Sequence, residues 1–228
     1  MRTVKADLRE FRLSKINEPR FSHLKYLLGW VGYFLLYALT ENLIPAEKCH
    51  PVYCALDGII PFNELFVIPY VFWYVLIVIS LVWFAIYEPE SFKRFMAFII
   101  TTQLVAMAVY IIWPTRQDLR PESFERENVL TWLMGVIYGF DTNTGVCPSL
   151  HVAYSIGIAS AWLKERVNRW WKLFVVFAAL IISLSTMFVK QHSAVDVFAA
   201  IPLGLLAELV AYGSWWKTRR KLRHSDRV

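Results

Sequence analysis

Two stretches of this chain put histidine where an apolar helix begins or ends: "CPSLHVAYS" at 147–155 and "KQHSAVD" at 190–196. His192 and Asp196 stand four apart, so on a helix they share one face, with Cβ atoms roughly 5–6 Å apart. The carboxylate can then hold one ring nitrogen and leave the other free as a base or nucleophile. In the first stretch, Pro148 suits a first helical turn and Thr144 or Cys147 a cap. The free N–H groups and positive dipole end of such a helix favour an anion. Ser149 adds a hydroxyl there, and His151 stands in that first turn. A third stretch, "WPTRQDLRP", carries Arg116 and Arg120, whose guanidinium forks match phosphate oxygens, and Lys190 supplies another cation. Each feature alone has a plain structural reading: a capped helix with an interfacial histidine, a polar pair joining helices, a solvated charge. Taken together, they describe a phosphate held by cations with an imidazole on either side.

The elements that must position these groups are membrane helices. The 228 residues are 57% hydrophobic and 16% aromatic, with only 18% charged. Apolar runs at about 25–44, 67–87, 94–113, 149–165, 171–190 and 194–216 approach or exceed the ~20 residues that cross a bilayer core. They are continuous rather than alternating, which argues against a β-barrel. The expected fold is all-α: a single polytopic domain over 1–228 with six transmembrane helices and both termini on one side. Residues 1–24 lack the apolar core and cleavage site of a signal peptide, so the first span reads as an uncleaved anchor. Of the 24 basic residues, the loops on the far side hold only Lys48, Arg116, Arg120, Arg126 and Lys190, which makes both termini cytoplasmic. The charge of +6 then reflects contact with anionic headgroups, notably through the N-terminus and the tail "KTRRKLRHSDR", and calls for no nucleic acid. Trp170, Trp171, Trp215 and Trp216 suit an inner aromatic belt, and Trp113 and Trp132 an outer one. Two outer loops are long. In 45–66 the apolar second half, with Asp57 and Glu64, suggests a short interfacial helix. In 114–148 the stretch "VLTWLMGVIYGF" is too short to span and suggests a re-entrant or surface helix. Cys49, Cys54 and Cys147 all fall in these loops; one disulfide with one cysteine left over is the simplest arrangement, and three free thiols is another.

The order and spacing of the polar stretches resemble the type 2 phosphatidic acid phosphatase superfamily of lipid phosphate phosphatases and phosphotransferases. Arg120-Pro121 matches the end of that family's first motif. "PSLH" at 148–151 matches the second, with Leu150 in place of glycine. Ser185, His192 and Asp196 fall in register with the third. Trp113 stands in place of the first motif's lysine and Thr186 in place of the third motif's arginine, and Arg116 and Lys190 are the nearby cations that could substitute. The "PSLH" form is most similar to the branch of inositol phosphorylceramide synthases and, more distantly, sphingomyelin synthases. The resemblance implies that His192 attacks phosphorus, Asp196 orients it, and His151 protonates the leaving alkoxide and then activates the acceptor. Arg120, Arg116, Lys190 and Ser149 would bind the phosphoryl oxygens. It implies a metal-independent integral membrane hydrolase of a lipid phosphate or pyrophosphate, with no cofactor and its site on the non-cytoplasmic face, or else a phosphotransferase that moves a head group onto a lipid alcohol. Two other classes stay open: a zinc hydrolase using His151, His192, Asp196 and His50, and an anion-conducting or lipid-binding protein. Glu208 finds no role in any of these readings, and Pro202 with Gly204 suggests a bend in the last span.

Overall fold

The computed structural model describes residues 10–225, with side chains as far as Trp216. The basic residues Arg2, Lys5, Arg9 and Arg227 of the expected headgroup contacts lie outside the described residues. The chain is helical nearly throughout: α1 (Leu28–Leu43), α2 (Ala55–Ile59), α3 (Val67–Tyr87), α4 (Pro89–Ile112), α5 (Val129–Phe140), α6 (Leu150–Lys164), α7 (Arg169–Phe188) and α8 (Ala194–Ser225). The strands among the described residues are two residue pairs, β1 (His50–Pro51) and β2 (Thr115–Arg116), which run parallel and tie the two long loops together. Local chemistry sets the boundaries. Asn63 caps the turn leading into α3, Pro89 occupies the first turn of α4, and Asn128 and Thr131 form a capping box on α5. The two short helices expected in the long loops are present as α2 and α5.

Among the described residues, four stretches are long and apolar enough to cross a membrane: Glu64–Tyr87, Pro89–Ile112, Arg169–Phe188 and Ala194–Trp216. They mark an integral membrane protein. The other two expected spans are shorter, with 16 residues in α1 and 15 in α6. At 1.5 Å per residue, α6 covers about 22 Å, short of a ~30 Å hydrocarbon core. It is also the helix that α4, α7 and α8 pack around. Close approach is built in: a Cβ on Gly157 would lie 2.6 Å from the Phe98 ring of α4, and one on Gly204 of α8 3.1 Å from Ile156. Phe84, Phe95, Ile158 and Ile182 fill the core among these helices. Large apolar side chains such as Leu35, Ile68, Leu180 and Leu209 stay exposed on the outside, as a lipid-facing surface requires. Pro202 lies inside α8, which continues through it to Ser225.

Glu208 now has a place. It accepts from Ser160 at 2.5 Å and Trp216 at 2.8 Å, and pairs with Lys164 at 2.7 Å. It joins α6 to α8 at the end of the bundle away from the long loops.

Candidate active site

Ser149 caps α6, accepting from the Val152 N–H at 3.4 Å, so the capping role falls to Ser149 and not to Thr144 or Cys147. Pro148 precedes the cap, and its carbonyl accepts from the Tyr110 hydroxyl at 2.7 Å. Two residues beyond Ser149, His151 is packed among aromatics. Its ring stacks on Tyr70 at 4.8 Å and tilts against Trp73 at 4.4 Å, and its Nε2 is buried without a partner.

His192 lies in the turn between α7 and α8, not on the helix itself. Its N–H and that of Gln191 both fold back onto the Thr186 carbonyl, at 3.1 and 3.0 Å, after Lys190 turns the chain at φ +52°. Asp196 sits in the first turn of α8, where one oxygen accepts the Ser193 N–H at 2.9 Å and meets His192 Nδ1 at 3.2 Å. The Ser193 hydroxyl in turn accepts from the Val195 N–H at 3.2 Å. Ser193 thus caps α8 at its second N–H while the Asp196 carboxylate reaches back to the Ser193 N–H, and this cap brings Asp196 to His192. The Asp196 carbonyl also accepts the Ser149 N–H at 3.1 Å, tying the start of α6 to that of α8. The two imidazole rings end with centroids 5.8 Å apart and inclined by 61°.

Asp57 of α2, expected only as part of an interfacial helix, fixes this turn from outside. Its carboxylate accepts from the Ser193 hydroxyl at 2.6 Å, the Ala194 N–H at 2.8 Å and the Cys54 N–H at 2.8 Å. Burial alone would push the Asp57 carboxyl up, but these hydrogen bonds outweigh it and hold the group below the usual carboxylate range.

The cations are placed differently from one another. Lys190 is buried and donates to the Asp57 and Ile60 carbonyls; burial lowers its pKa, with Asp57 opposing. Arg116 spans the Ala46 and Cys49 carbonyls and pairs with Asp118 at 3.0 Å. Both cations hold loops together and neither lines the cavity described below. Arg120 does not line it either, but it bonds to Gln191, which does. It lies 4.6 Å over the Tyr138 ring and donates to the Asp141 and Thr142 carbonyls at 2.9 and 2.8 Å and to the Gln191 side chain at 2.7 Å. Its Nε is buried without a partner, and burial lowers its pKa. Thr186, in the position compared with the family's arginine, is buried and bonded to the Ser183 carbonyl. The three cysteines carry free thiols, so the single disulfide is not formed. Burial, with Asp196 second, pushes the Cys147 thiol up to about 12.

His151 and His192 line a cavity of about 600 Å³ between α1 and α3. Its wall is aromatic, with Trp30, Tyr33 and Tyr37 from α1 and Trp73 and Tyr74 from α3. Asp141, Thr142 and Thr144 line it as well. A volume of this size, with an apolar wall and a few convergent polar groups, suits a small-molecule or lipid site. His50 does not line this cavity; it stacks on Trp113 at 4.1 Å. Among the described residues no group of three or more His, Cys, Asp or Glu side chains is gathered as a cage. Comparisons with protein-family models, with curated proteins and with solved structures return no match.

Proposed function

We propose that this protein is an integral membrane phosphohydrolase that acts on a lipid phosphate or pyrophosphate through a phosphohistidine on His192. The observation that carries this reading is the pair of imidazoles at the end of an aromatic groove, one of them oriented by Asp196. His192 Nδ1–H donates to Asp196, which leaves Nε2 as the nucleophile. In the first step the P–N bond forms, the P–O bond breaks, and the leaving alkoxide takes a proton from the His151 imidazolium. In the second, neutral His151 takes a proton from water as its oxygen attacks phosphorus, and the P–N bond breaks. The N–H groups at the start of α6 would meet developing charge on the phosphoryl oxygens, and Arg120, which does not line the cavity but bonds to Gln191 of its lining, would add positive charge beside them. The scheme calls on no metal. A lipid alcohol in place of water would give head-group transfer by the same two steps. The apolar groove favours that second reading too, since it would admit such an acceptor.

The wider reading has six spans, both termini in the cytoplasm and the histidines on the opposite face. The 3₁₀ turn Ser22–Leu27 runs straight into α1, lengthening the first span, and α6 is shielded from lipid by its neighbours. The test is phosphate release in EDTA from a panel of phosphatidate, a sphingoid phosphate and an isoprenyl pyrophosphate. Release by wild type and not by His192→Ala supports the hydrolase; release only on adding a lipid alcohol supports transfer. Equal release by both proteins rejects the mechanism.

A further inference from the structure

The cavity has a charge pattern that the phosphate chemistry does not use. Its lining contains no lysine or arginine and one carboxylate, Asp141. Asp141 follows α5 and lines the same cavity as His151, His192 and Gln191. Its two oxygens have only neutral partners, the Tyr37 hydroxyl and the Gln191 amide, each at 3.3 Å. Arg120 reaches the backbone carbonyl of Asp141, not its carboxylate. Burial pushes the Asp141 carboxyl up, while Arg120 and His192 pull it down. The carboxylate therefore faces a space for a ligand and lacks a full charge partner there. Tyr33, Tyr37, Tyr74 and Phe140 line that space as well. A carboxylate in an aromatic wall is an environment that favours an organic ammonium group. A phosphate alone would meet the wrong sign in this lining, whereas a zwitterion would satisfy both ends.

We infer that the cavity takes a zwitterionic phospholipid, its phosphate at His192 and an ammonium group of the same molecule against Asp141. This rests on the site reading above and adds the substrate's charge type to it. The binding test uses His192→Ala protein in detergent, so that nothing is turned over, with fluorescence of Trp30 and Trp73 in the cavity wall as the signal. The probes are sphinganine phosphate and its N-acetyl derivative, which keep the phosphate, the hydroxyl and the long chain but differ in the ammonium charge. On the Asp141 background the free amine should bind at least about ten-fold more tightly than the N-acetyl form, the scale of a charge-assisted hydrogen bond. Adding Asp141→Asn should remove that preference and leave N-acetyl binding within about two-fold. Tyr37→Phe, which keeps the carboxylate, should keep the preference and so separates charge from folding. Equal affinity for the two probes, or a preference that survives Asp141→Asn, overturns the inference. Turnover by wild-type protein is scored separately: a preference without turnover upholds the ammonium site and rejects the phosphohydrolase, and turnover without a preference does the reverse.

Discussion

His192 is held by two carboxylates from distant parts of the chain. Asp196 touches its ring, and Asp57 grips the next two residues, Ser193 and Ala194. The first of these was legible in the sequence because four residues of spacing announce a contact. The second was not, because the Asp57–Ser193 bond joins positions 136 apart and no local pattern encodes it. The side chains should respond differently when changed. Asp196→Asn should cut turnover by about 10²-fold or more while leaving thermal stability near wild type, measured as phosphate release and as melting in detergent. Lys190→Ala removes donors to two loop carbonyls, so its main effect should be a lower melting temperature. Arg120→Ala should lower kcat/KM by about 10²-fold. Arg126, 78% exposed and 3.5 Å from Glu64, should be nearly silent when changed to Ala.

Elements rather than single residues bring the site together. The starts of α6 and α8 are joined by the Ser149–Asp196 backbone bond, and α2 closes over the turn between α7 and α8. Helix α5, expected from an apolar run too short to span, supplies the Asp141 end of the cavity. Its contribution of a carboxylate could not be read beforehand, since Asp141 looks like an ordinary residue after a helix. Stability should track the α2 clamp. Asp57 has a folded pKa below its unfolded value of about 3.9. Its contribution is therefore complete above that unfolded value and is lost as pH falls through the folded one. Asp57→Asn should destabilise the neutral-pH protein by about 1–3 kcal/mol. Part of the acid-induced loss of stability should vanish with it, as melting curves across pH would show. At the α6–α4 crossing, Gly157→Val should cost about 1–3 kcal/mol, because its side chain would enter the Phe98 ring.

At the scale of the molecule, composition alone announced a membrane protein, because apolar runs of 20 residues have few other uses. Four of the expected spans have the length and hydropathy to cross. The apolar pattern also covers α1 and α6, but helix ends depend on caps and turns that hydropathy does not register, such as Ser149 on α6. The groove between α1 and α3 was not foreseen as such, although the spacing of Trp30, Tyr33 and Tyr37 puts three aromatics along one face of α1. On the proposed reading, the apolar groove presents a head group to two histidines, and His192 carries the phosphoryl group between steps. The most direct measurement is to trap that group. Wild-type protein would be mixed with a lipid substrate labelled at the transferred phosphoryl group, quenched in alkali and mapped by peptide mass analysis. The account predicts an acid-labile, base-stable phosphoryl group on His192, absent from His192→Ala and longer-lived in His151→Ala. Turnover of the same substrate with label on no histidine, or on His151 instead, would contradict it.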